Sequence, residues 1–143
     1  MEYMIEVYMD GSKSENGVGS GIAIFIDKHL TFQLKYKLLE RCSNNQAEQL
    51  AIAKALEKMK DLYYLQEYQQ CLAIHTDSRI SLDAIANPSN HQNLVEWIRE
   101  EIRRLENDNW IIHFTWLKAH DDNYGNELAD HLVKKQPVVA TLI

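Results

Sequence analysis

Residues 31–50 read TFQLKYKLLERCSNNQAEQL, and within them the chain changes its repeat. Phe32, Leu34, Tyr36 and Leu38 alternate with Gln33, Lys35 and Lys37, the period of two expected of a strand with one covered face. Ser43 followed by Gln46 is the signature of a capping box. From there Ala47, Leu50, Ala51, Ala55 and Met59 recur at helical spacing, predicting a helix from about Asn44 to Lys60. A strand that hands over directly to a capped amphipathic helix, after other strands joined by short links, marks an α/β domain.

On the N-terminal side, YMIEVYM (3–9) is rich in strand formers and ends on Asp10-Gly11-Ser12. The Gly/Ser/Asn-rich stretch from Ser14 to Ser20 reads as a hairpin, and GIAIFID (21–27) as the second strand. On the C-terminal side, CLAIHT (71–76) is a short apolar run of the kind found in strands covered on both faces. Arg79 to Ala86 forms a brief helix ending near Asn87-Pro88. Leu94, Ile98, Ile102 and Leu105 are in phase on a second helix from about Gln92 to Glu106. WIIHFTW (110–116) is the fifth strand, and after a polar loop around His120 a final helix carries Leu128, Ala129, Leu132 and Val133. The expected order is βββαβααβα: one domain over residues 1–143, a five-stranded mixed sheet of three antiparallel strands and then parallel strands, flanked by helices.

The chain has 143 residues, 45% of them hydrophobic, and a domain of this size buries about two-thirds of its unfolded surface without disulfides or structural zinc. Cys42 and Cys71 form no CxxC pair and read as small buried thiols in a reducing compartment. No run approaches the ~18 apolar residues of a membrane span, and the N-terminus lacks the layout of a signal peptide. An intracellular protein, cytoplasmic or nuclear and not secreted, is expected. The net charge of −6 argues against tight, independent nucleic-acid binding, which usually rests on a basic patch. Arg99, Arg103 and Arg104 read as a solvated helix face. Trp97, Trp110 and Trp116 read as core packing, as do the strand histidines His75 and His113.

Four carboxylates stand out. Asp10 closes an apolar strand, Asp77 directly follows another, Glu48 lies beside the buried stripe of its helix, and Asp130 interrupts the stripe of the last helix. Singly, each has an ordinary reading as a turn former, a dipole partner or a boundary residue. Together they are costly next to a core unless a cation or hydrogen bonds compensate them. Sites in open α/β sheets form at the carboxyl ends of parallel strands, where Asp10 and Asp77 would fall. Hard oxygen donors suit Mg²⁺ or Mn²⁺, and a pair of such ions can activate water and stabilise the leaving oxygen of a phosphodiester. No EF-hand pattern suggests a structural ion instead.

The segments Asp10-Gly11-Ser12, Ser43-Asn44-Asn45-Gln46-Ala47-Glu48, Thr76-Asp77-Ser78, and Trp116 to His120 followed by Gly125 to Asp130 resemble type 1 ribonuclease H, in order and spacing, over nearly the whole chain. The tail with its His and GNELAD is similar to the ribonuclease H domains of non-long-terminal-repeat retrotransposon polyproteins. The resemblance implies Mg²⁺-dependent endonucleolytic cleavage of the RNA strand in RNA/DNA hybrids, leaving 5′-phosphate and 3′-hydroxyl ends. It implies two metal ions, Mn²⁺ serving as substitute, held by Asp10, Glu48, Asp77 and Asp130 with Asp10 bridging. His120 would assist proton transfer or product departure. Gly11, Ser12, Ser43, Asn44, Asn45 and Arg79 would contact the substrate, amide side chains there addressing 2′-hydroxyls.

Two departures from the family pattern matter. Arg79 stands where many cellular members carry glutamine, and its contact need not be the same. The stretch from Arg79 to Glu106 leaves no room for the extra basic handle helix of some relatives. With the −6 charge, this implies weak, salt-sensitive hybrid binding by a monomeric domain, with the reverse transcriptase of the same polypeptide as a partner that could hold substrate. The alternatives are a catalytically weak nucleic-acid-binding module of the same fold, or a 3′–5′ exonuclease of the wider superfamily. The latter typically carries Asp-x-Glu where this chain has Asp10-Gly11-Ser12.

Overall fold

The three-stranded meander is present, with longer strands than the pattern of apolar residues predicts. The computed structural model describes residues 5–15, 17–65, 70–117 and 139–140, with backbone alone at 12, 14, 63–65, 139 and 140. Strands β1 (Ile5–Ser14), β2 (Gly17–Ile26) and β3 (His29–Leu38) pair antiparallel. The expected hairpin from Ser14 to Ser20 shrinks, since β1 and β2 already pair at Ser14–Gly17. Gly17 sits there at φ 119°, a conformation L side chains rarely adopt. Asp27 (φ 48°) and Lys28 (φ 67°) form the two-residue link to β3, both in the left-handed region that matches the twist of a tight hairpin.

Helix α1 (Asn44–Lys58) starts as the sequence predicts: the Ser43 N–H donates to Gln46 Oε1 at 2.7 Å, and the Gln46 N–H to Ser43 Oγ at 3.1 Å. It tightens into 3-10 turns over Met59–Leu65, broken by a kink at Leu62, and Met59 and Leu62 stay in the core. Then follow β4 (Cys71–Thr76), α2 (Arg79–Ala86), α3 (Asn93–Asn107) and β5 (Ile111–Trp116). β4 lies parallel to β1, and β5 parallel to β4. The five strands are as expected, and a two-residue β6 (Val139–Ala140) adds a parallel pairing to β3, giving the order β5-β4-β1-β2-β3-β6. The last helix anticipated around residues 128–133 lies outside the described residues. Among the described residues there is no basic handle helix and no helix long and apolar enough to cross a membrane.

Ile5, Val7, Met9, Ile22, Ile24, Leu72 and Ile74 form one face of the sheet and meet Ala51, Ile52, Ala55 and Leu56 of α1. Fully burying each aliphatic side chain contributes roughly 1.5–3 kcal/mol. The small residues of α1 let the helix lie close to the strands. At its N-terminal end the Ser20 hydroxyl, fully buried, donates to the Ala47 carbonyl.

Arg99 is not part of a solvated face. Its guanidinium donates to the carbonyls of Ala84, Ile85, Asn87 and Asn90 and to the Glu96 carboxylate, so one cation ties the end of α2 to the start of α3. Arg104 pairs with the buried Glu101. Replacing Arg99 with alanine leaves several carbonyls without their donor and should cost about 2–4 kcal/mol in urea unfolding, whereas Arg103→Ala should cost less than about 0.5 kcal/mol.

Candidate metal centre at the strand ends

The parallel pairing of β1 and β4 ends at Tyr8–His75, but β1 continues alongside β2, where Asp10 pairs with Gly21. Asp10 therefore lies within a strand rather than closing it, at the fork where β1 parts from β4. Asp77 follows β4 on the other side of that fork. Glu48, 2% exposed, reaches it from α1. Asp10, Glu48 and Asp77 each offer an oxygen, and these atoms all lie within 4.8 Å of one another.

Glu48 is fixed by backbone and side chain. The Gly11 N–H donates to its Oε1 at 2.6 Å, and the Thr76 hydroxyl to its Oε2 at 3.3 Å. Thr76, fully buried, accepts in turn from the Ser78 N–H at 3.1 Å. Gly11 permits the approach: a Cβ there would come within 2.9 Å of Ala47 Cβ and 3.0 Å of both the Asn44 carbonyl and the Glu48 nitrogen. Gly11→Ala should push the first turn of α1 outward and cost about 1–3 kcal/mol, with weaker Mn²⁺ binding in calorimetry because Glu48 moves with the helix.

Burial, and then the charge of Asp77, push the Glu48 carboxyl up to about 7, while hydrogen bonds from Gly11, Asp10 and Thr76 pull the other way. Crowded carboxylates, one of them reluctant to ionise, are a donor set that a divalent cation would relieve. Hard oxygens at this spacing fit Mg²⁺ or Mn²⁺.

A groove of about 940 Å³ lies between the first turn of α1 and the α2–α3 link. Ser43 and Asn45, two of the candidate substrate contacts, line it. So do Arg41, Gln49, His91 and Asn93, which the sequence did not single out because they come from three separated segments. Asn44 is exposed at the helix start. Arg79, the first residue of α2, lies over the Trp116 ring, 5.4 Å from its centroid. Trp116, expected in the core, is 46% exposed, whereas Trp110 is buried. His75 is packed as expected, stacked on Tyr8 with its Nε2 3.0 Å from Glu6 Oε2; His113 is exposed. His120, Asp130 and the side chain of Ser12 lie outside the described residues.

This strand order, with an acidic centre at the fork, defines the class: a mixed α/β sheet carrying a cation-seeking carboxylate site. Residues 2–137 match the ribonuclease H family, and the chain belongs to that family. It is 31% identical to the Pol polyprotein of equine infectious anemia virus over 134 residues, which are 91% of this chain but 10% of that polyprotein. It is 26% identical to the Ribonuclease H of Buchnera aphidicola, covering 96% of this chain and 93% of that one. In three dimensions it resembles LC11-RNase H1 solved in complex with an RNA/DNA hybrid, with a TM-score of 0.69 and 21% identity over 90% of this chain and 93% of that one.

Proposed function

We propose that residues 1–143 form a single endoribonuclease domain that hydrolyses the RNA strand of RNA/DNA hybrids, leaving 5′-phosphate and 3′-hydroxyl ends. The observation that carries this reading is the meeting of Asp10, Glu48 and Asp77 within 4.8 Å at the strand fork. Asp130 would complete the donor set. A pair of Mg²⁺ or Mn²⁺ ions bound there would supply a polarised water and neutralise charge on the leaving oxygen.

The chain's own residues do the rest. Gly11 and Thr76 orient the Glu48 carboxylate, so that little reorganisation is left for the moment of reaction. Ser43, Asn44 and Asn45 would meet the minor groove, where amide groups can address the 2′-hydroxyl that separates RNA from DNA. Gly11, Ser12 and Arg79 would flank the scissile link, and His120 would move a proton near the departing product. The groove beside α1, whose lining includes Arg41 and His91 and no acidic residue, supports this course for the substrate.

The similarity to a retroviral Pol polyprotein supports a retroelement origin, and the GNELAD tail favours a non-long-terminal-repeat element. In that setting the domain would act as a monomeric unit inside cells, with the reverse transcriptase of the same polypeptide holding substrate that a −6 domain grips weakly. The test is one gel: labelled RNA in a hybrid, in double-stranded RNA and alone, each with Mg²⁺, Mn²⁺ or EDTA. Cutting confined to the hybrid and dependent on the metal is expected, and undiminished cutting in EDTA would sink the assignment.

A further inference from the structure

Among the described residues only Ile80 and Trp116 are large apolar side chains left exposed, at 62% and 46%. Trp116 ends β5 opposite Thr76, the residue before Asp77. The pairing of β4 and β5 runs on past it, since the Leu117 N–H donates to the Thr76 carbonyl at 2.8 Å. The indole is tethered: its Nε1–H donates to the Asp77 carbonyl at 3.3 Å. Over its ring lies the guanidinium of Arg79, 5.4 Å from the centroid. One exposed aromatic thus touches the backbone of a carboxylate in the acidic cluster and the cation two residues further on.

We propose that Trp116 is a positioning residue that holds Arg79 at the substrate edge of the carboxylate cluster. The inference rests on the ribonuclease H reading above. A guanidinium this close to Asp77, in a chain of net charge −6, is drawn toward the carboxylates, where it would compete with the divalent cation they are built to hold. Stacking on the indole offers it another resting place, because Arg stacks well on aromatic faces and a planar fork held in one orientation loses less entropy when it binds. Parked there, Arg79 presents its remaining donors to the sugar–phosphate chain entering the site. Trp116 itself need not touch the reacting atoms, and the role is one of orientation.

The test combines an optical measurement without substrate and a kinetic cycle. Arg79→Ala should shift the indole emission of the full domain, and the shift should vanish when Trp116 is replaced by phenylalanine, because Trp110 is buried, Trp97 lies against Lys54, and among the described residues the Arg79 guanidinium stacks on Trp116. Against the labelled hybrid in Mg²⁺, Trp116→Leu should raise KM roughly three- to tenfold, with kcat within about twofold. Trp116→Phe, which keeps a ring face, should recover most of that loss. Arg79→Ala combined with Trp116→Leu should be no worse than the poorer single variant. No emission change in Arg79→Ala, an unaltered KM in Trp116→Leu, or effects that simply multiply would each overturn the inference. The emission measurement decides even if Trp116→Leu fails to fold. An unaltered protein that cuts no hybrid would overturn the functional reading and this inference with it, whereas normal cleavage with an unaltered KM in Trp116→Leu overturns the inference alone.

Discussion

Asp10→Asn and Asp77→Asn are each expected to reduce hybrid cleavage by roughly a thousandfold or more, with the fold retained. Both carboxylates lie within 4.8 Å of Glu48, and an asparagine keeps the shape but offers a neutral amide to a divalent cation. The activity loss should appear in single-turnover cleavage at saturating enzyme, so that weakened hybrid binding cannot mimic it. Stability should move the other way. Removing one negative charge from a crowded cluster relieves repulsion, so in EDTA both variants should melt at or above the temperature of the unaltered protein. A residual rate within tenfold of normal, or a collapse of the fold, would contradict the placement of these side chains.

The second large effect concerns pH and is read at Glu48. Its carboxyl titrates at about 7 in the fold against an ordinary value of 4.5. The folded state therefore holds this proton more tightly than the unfolded chain. The resulting stabilisation is fully present below about pH 4.5 and is lost as pH rises through about 7. By pH 8 the metal-free protein carries a buried charge, a difference on the order of 3 kcal/mol. Glu48→Gln mimics the neutral, protonated form. In EDTA its stability relative to the unaltered protein should grow from nearly nothing at pH 4.5 to on the order of 3 kcal/mol at pH 8, measured by urea titration. Added Mg²⁺ should erase that advantage at pH 8, because the ionised carboxylate is the form that binds a cation. A relative stability that stays flat from pH 4.5 to 8 would show that Glu48 is not strained as described.

What the sequence disclosed, and what it concealed, divides along physical lines. The helix start at Ser43, the parallel β4 and the gathering of Asp10, Glu48 and Asp77 were legible because each breaks or sets a periodic pattern. Charges beside apolar stripes are conspicuous in one dimension. Strand length was less legible: β2 begins at Gly17, and in its first half Ser20 is tied to α1 through the Ala47 carbonyl, whereas a run of Gly and Ser resembles a turn when read alone. Arg99 was misread because its partners are main-chain carbonyls, which have no letter. Trp116 was expected inside because tryptophan in an apolar strand usually is; only its place at the strand's end leaves it exposed. The groove beside α1 is built from segments some forty residues apart in sequence, and no local pattern announces such a meeting.

The corner bound by Arg99 bears on what can be grafted onto this scaffold. With its donors committed to the link between α2 and α3, the guanidinium makes that link a welded seam. A segment inserted there would have to bring its own donors for the orphaned carbonyls before it could serve as an arm for nucleic acid. Among the described residues no further helix stands at this corner, and the carbonyls an inserted one would have to respect are already taken.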